Sequence, residues 1–198
     1  MRQITVLALF AAGCLLLGCD DKKPASETPK KVNEYQTGRF ALQKMIGSAR
    51  FWSPDALPVQ LQSTPSTESN GHDGKSAYWR AVFGSPSRRK ALAFTWTGLA
   101  SASHKVDHGA EDAFNPGNRS TLTWDLNFLK VDTDKAVEVA QEHGGKQLLE
   151  KEPKLPVAYF LDWNAQSNQL VWHVMYGESP AKLTVLVDAS TGIYLRKE

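Results

Sequence analysis

The chain has 198 residues, and its 23 Lys and Arg against 21 Asp and Glu give a formal net charge of +2. That near balance argues against nucleic acid as a partner, and two cysteines, Cys14 and Cys19, are too few for a disulfide-stapled scaffold. Aromatic residues make up 10% of the chain, six of them Trp, enough for a folded, β-rich body.

The chain opens with Arg2, an uncharged stretch over 4–17, and Leu16-Leu17-Gly18-Cys19. These are the n-region, h-region and cleavage site of a secretory signal, too short for a membrane span. The ending resembles the lipobox of bacterial lipoproteins, which implies a diacylglyceryl group on Cys19 and cleavage before it. Ala11-Ala12-Gly13-Cys14 is a weaker match, since Ala stands where the lipobox favours Leu. Residues 1–18 are therefore expected to be a signal peptide, leaving a mature charge of 22 − 21 = +1. With Cys14 removed and Cys19 capped by lipid, neither thiol chemistry nor a cysteine metal site is expected. The expected location is the cell envelope, facing the periplasm or exterior. Asp20 resembles an inner-membrane retention signal of enterobacterial sorting.

Residues 19–36 follow as the lipidated Cys and a polar tether. Its Lys22, Lys23, Lys30 and Lys31 are balanced by Asp20, Asp21, Glu27 and Glu34, so the acyl chains on Cys19 would be the membrane contact. From Thr37, a possible N-cap, Leu42, Met45, Ile46 and Ala49 predict a helix. Strands are predicted over 59–62, 77–83 and 91–96, separated by turn residues such as Asn70-Gly71 and Gly84-Ser85-Pro86. Residues 99–120 read as an irregular loop. The cleanest alternation lies over 121–128, where Leu122, Trp124, Leu126 and Phe128 predict a half-buried strand. Asp132 then caps a second helix stopped by Gly144-Gly145. Strands over 157–163, 170–176, 182–188 and 193–196 complete an antiparallel meander.

An internal echo runs through this order. Tyr78-Trp79-Arg80-Ala81-Val82-Phe83-Gly84 and Val171-Trp172-His173-Val174-Met175-Tyr176-Gly177 align their Trp, an aromatic and their Gly at a spacing of 172 − 79 = 93. Two similar units are expected, over 37–98 and 131–198, joined by a loop and amphipathic strand over 99–130. Asp132-Thr133-Asp134-Lys135-Ala136-Val137, with Val185-Leu186-Val187-Asp188-Ala189-Ser190-Thr191-Gly192, resembles the PepSY domain. The resemblance covers about residues 131–195 and is fainter over 40–98, where the Asp-Ala of the ending is missing. It implies an α+β fold, one helix on a small antiparallel sheet in each unit. It also implies a non-catalytic envelope module, similar to domains suspected of binding or restraining peptidases.

The chain has no His-Glu-x-x-His, Gly-x-Ser-x-Gly, phosphate-binding glycine loop or Cys-x-x-Cys. Ser87-Arg88-Arg89-Lys90 matches Ser-x-x-Lys but falls in a predicted turn rather than at a helix start. His104, Asp107 and His108, with Glu111 and Asp112 nearby, form the one candidate metal set, provided that the segment is helical. In a loop the spacing loses its meaning. Trp79, Phe83, Trp172 and Tyr176 read as sheet core, while Trp52 and Trp163 are candidates for peptide contact. The expectation is a lipid-anchored, non-enzymatic protein without cofactor, binding a peptide or protein sterically or by strand addition. The alternatives are a small metal-dependent hydrolase using His104, Asp107 and His108, and a structural envelope spacer.

Overall fold

A computed structural model describes residues 32–66 and 69–198. The lipobox, Cys14, Cys19, Asp20 and the tether up to residue 31 lie outside the described residues. Helix α1 (Gly38–Trp52) leads into strands β1 (Leu57–Ser63), β2 (Tyr78–Ser85), β3 (Lys90–Thr97) and β4 (Val106–Ala113). After a 3-10 turn at Leu126–Phe128 come α2 (Thr133–Ala140), a kinked π segment at Gln141–Gly145, and α3 (Lys146–Lys151). Strands β5 (Val157–Asn164), β6 (Gln169–Tyr176), β7 (Leu183–Asp188) and β8 (Tyr194–Lys197) follow.

The expected α+β class holds, but the strands form one sheet rather than two. Its order is β4-β3-β2-β1-β5-β6-β7-β8, antiparallel throughout. The middle seam pairs Gln60 with Asp162, Leu61 with Leu161 and Gln62 with Phe160. Helices cover one face, α1 over β1–β3 and α2 over β6 and β7. That face takes the alternating apolar residues: Trp79, Ala81 and Phe83 of β2 and Trp172, Val174 and Tyr176 of β6 are all buried. Leu61 and Leu161 are fully buried at the seam, so the core runs unbroken across it. Among the described residues, no helix packs on the opposite face.

Both helices begin over the middle of the sheet. The indole Nε1 of Trp79 donates to the Gln36 carbonyl, just before α1, at 2.9 Å. That of Trp172 donates to the Val131 carbonyl, just before α2, at 2.9 Å. A Cβ at Gly38 would come within 2.8 Å of the Trp172 ring and 3.1 Å of the Trp79 ring, so only glycine fits between them. Thr37 stands at the N-cap of α1 but its side chain makes no capping bond. Asp132 supplies it from the other helix: its Oδ1 accepts from Arg39 N (2.9 Å) and from Thr133 N (2.7 Å). One carboxylate thus serves two positive helix ends, a placement worth about 1 kcal/mol per capped end.

Two predicted boundaries need correction. The loop expected over 99–120 contains β4, so the first helix-and-strand run reaches Ala113 and not residue 98. The strand is polar because it lies at the sheet edge, where seven of its eight residues are exposed and nothing selects an apolar alternation. The strand expected over 121–128 does not form. Both edges of β1 are already taken by β2 and β5, and Asp125 accepts from Asn127 N to start a 3-10 turn instead. The second helix does break at Gly144, whose φ is +119°, but the chain re-enters helix as α3.

Candidate functional site

The helix-free face of the first four strands carries a cup of about 670 Å³. Its floor is apolar and shallow, formed by Val82 of β2 and Ala91 and Ala93 of β3, the residues that alternate with the helix-facing core. The segment after β4 forms one wall. Phe114 lodges over Gly84, where a Cβ would meet its ring at 2.8 Å, and Phe114 N donates to the Arg89 carbonyl at 3.0 Å. Asn115 and Asn118 then shape consecutive turns by accepting from Gly117 N and Ser120 N. Trp124 pins the far end of this wall, its backbone N–H to the Pro58 carbonyl and its indole to the Val59 carbonyl. Arg119 adds a bond to the Ala165 carbonyl at 2.9 Å.

The β2–β3 turn that rims the cup is held from the helix side. Asp55 Oδ1 accepts from Ser53 Oγ (2.7 Å) and Ser85 Oγ (2.6 Å), and Oδ2 accepts from Ser87 N (2.8 Å). These bonds, that from Ser85 foremost, hold the Asp55 carboxyl far below the usual carboxylate range. Arg88 is tied as firmly: it donates to the Trp52 carbonyl, pairs with Glu111 at 2.5 Å, and lies 4.9 Å from the Trp52 ring centre. The Trp52 indole also donates to Glu111 at 2.7 Å, and this bond leads the causes that lower the Glu111 pKa. Trp52 is therefore engaged within the fold. Trp163 packs edge-on against Phe128, with ring centres 5.0 Å apart.

The His104, Asp107 and His108 set is not assembled. His108 lies in β4 and His104 before it, on extended chain, where four residues span on the order of 13 Å. His108 turns its ring toward Phe94, and its Nδ1 lies 2.9 Å from the Gly109 carbonyl. Glu111 is occupied by Trp52 and Arg88. No group of three or more His, Cys, Asp or Glu among the described residues is placed to hold a metal. The helical premise of the metal-hydrolase alternative therefore fails. Ser87 to Arg89 lie in the β2–β3 turn, as expected, and Lys90 opens β3. His173 sits on the helix-free face, 3.1 Å from Asp162.

Strand addition at β4 is also disfavoured. The His108 and Ala113 N–H groups donate to Asp107 Oδ1 (2.8 Å) and Asp112 Oδ1 (2.7 Å), so carboxylates of their own strand already occupy them. The Asp188-Ala189-Ser190-Thr191-Gly192 ending acts as turn chemistry: Asp188 Oδ1 accepts from Ser190 N and Thr191 N, and Gly192 adopts φ +78°. The cup itself has no signal in the sequence. Its floor, wall and rim come from four separate segments, and no local motif joins Arg80, Ala93 and Asn115.

Fold and site together define a single-sheet α+β protein with a polar-rimmed cup on its uncovered face. No family model matches the chain, and no curated protein matches it. Among solved structures, it is similar to a crystal structure of a candidate lipoprotein from Clostridium difficile 630. The TM-score is 0.53 at 15% identity, and the match covers 87% of this chain and 95% of that one. At that identity the likeness is one of fold.

Proposed function

We propose that this chain is a lipid-anchored, non-catalytic cell-envelope protein that holds a peptide or protein segment on the helix-free face of its sheet. The cup carries this reading: a preorganised concavity of about 670 Å³ is within the range of ligand sites, with an apolar floor and polar groups at its rim. Anchoring rests on the lipobox at Leu16-Leu17-Gly18-Cys19, and it accords with the lipoprotein description carried by the similar structure. The two halves are proposed as copies of one helix-plus-four-strand unit. Trp79 and Trp172 support this, since each bonds the carbonyl two residues before the helix of its own half. The PepSY likeness contributes only this architecture and the non-catalytic role, a restrained peptidase being one partner of the kind it implies.

A photo-crosslinking amino acid at Ala93, in the cup, tests the reading in intact cells. It is expected to capture polypeptide where the same group at Lys44, exposed on α1, captures none. Equal capture at both positions, or none at either, would favour a structural spacer. The same label in a Cys19→Ser background is expected to leave the membrane fraction as folded protein. Its retention there would overturn the anchor.

A further inference from the structure

Two arginines border the cup, and neither is paired among the described residues. Arg80 projects from β2 onto the helix-free face, half-buried, and Arg89 stands in the β2–β3 turn. None of the ion pairs or side-chain hydrogen bonds among the described residues uses either guanidinium. The contrast with the adjacent Arg88, fully engaged with Glu111 and Trp52, is local and sharp. Arg89 also adopts φ +52°, a left-handed conformation that glycine or asparagine takes more easily and that costs an arginine about 1 kcal/mol or more. A turn that keeps an unfavourable residue whose side chain lines a cavity suggests a use for that side chain.

Asp112 is the acidic group lining the cup, and one of its oxygens is occupied by Ala113 N. Arg80, Arg89 and Asp112 therefore sum to one positive charge, which matches a monoanion better than a phosphate dianion. Around them Gln60, Asn115, Asn118 and Thr121 offer groups that can donate to and accept from a peptide backbone, over an apolar floor of Ala91, Ala93 and Val82. Arg80 pairs with Thr95 and stands five residues along β2 from the turn that holds Arg89, about 17 Å, the span of a short extended peptide. Resting on the peptide-binding reading above, we infer that the cup takes the C-terminal end of an extended peptide, its terminal carboxylate held by Arg89 and its upstream backbone reaching Arg80.

The test applies the full chain in detergent to an array of pentapeptides fixed through their N-termini, each present as a C-terminal acid and as the matching amide. The expected result is retention by a subset of acids that falls about tenfold or more for their amides, the scale of charge-assisted hydrogen bonds. Arg89→Gly, which relieves the left-handed residue and so keeps the fold, is expected to lose retention to a similar degree, as is Arg80→Met. Equal retention of acids and amides would overturn the carboxylate assignment while leaving peptide binding intact. No retention of either form would overturn both. Unchanged retention by the two variants, or displacement by inorganic phosphate at concentrations matching the peptide, would also overturn the inference.

Discussion

Asp55 shows how one side chain positions a site that it does not line. Its carboxylate gathers the end of α1, the start of β1 and the β2–β3 turn through Ser53, Ser85 and Ser87. Its pKa is depressed in the folded chain relative to about 3.9 in the unfolded one, so it contributes stability that is present above about pH 4 and is lost as pH falls below that. Asp55→Asn is expected to lower the urea midpoint at pH 7 by the equivalent of about 1–2 kcal/mol, a figure discounted for partial exposure. The gap to the parent protein should close between about pH 5 and pH 2; a gap independent of pH would refute the assignment. The sequence offered part of this scale. Asp132 was readable as the cap of its own helix because cap and helix are adjacent in the chain. Its service to α1 was not, since Arg39 lies 93 residues away.

Elements were legible where one face is buried and one wet. β2 and β3 announce themselves by alternation, because a face under α1 must be apolar and its reverse need not be, whereas β5, β6 and β7 are near-continuous apolar runs readable from their β-branched and aromatic content. β4 failed that test, having no covered face to impose the pattern. The segment over 121–128 passed it and is still not a strand, because alternation shows which residues can be half-buried but not whether a partner edge is open. The edge of β4 gives a prediction of its own. Removing both carboxylates, in an Asp107→Val, Asp112→Val pair, frees the His108 and Ala113 N–H groups for another chain. Concentration-dependent self-association beyond that of the parent protein is expected by sedimentation; an unchanged sedimentation profile would show that these contacts do not protect the edge.

For the molecule as a whole, the seam between β1 and β5 matters most. Leu61 and Leu161 face each other there, fully buried, and the two helix ends meet above them around Asp132, Thr133 and Gly38. The halves therefore share core and caps and should unfold together. Leu161→Ala is expected to cost about 2–5 kcal/mol and to keep a single urea transition, seen alike by tryptophan fluorescence and circular dichroism. Two separated transitions would show the halves to be independent. The cup escaped sequence reading for the same reason: it is a property of the assembled sheet, joining a floor of Val82, Ala91 and Ala93 to a wall that starts only at Phe114.

The entry of the chain into the fold has a mechanical consequence. Glu34 N bonds the Gly98 carbonyl, Gln36 and Ser76 exchange backbone bonds, and the Trp79 indole holds the Gln36 carbonyl. These contacts lie at the Tyr78 and Thr97 ends of β2 and β3, whereas the turn braced by Asp55 lies at the Ser85 and Lys90 ends, so most of the length of an eight-residue strand, on the order of 25 Å, separates clamp from rim. Tension arriving from the N-terminal side would load the Gln36 clamp first and leave the Asp55-braced rim unstressed.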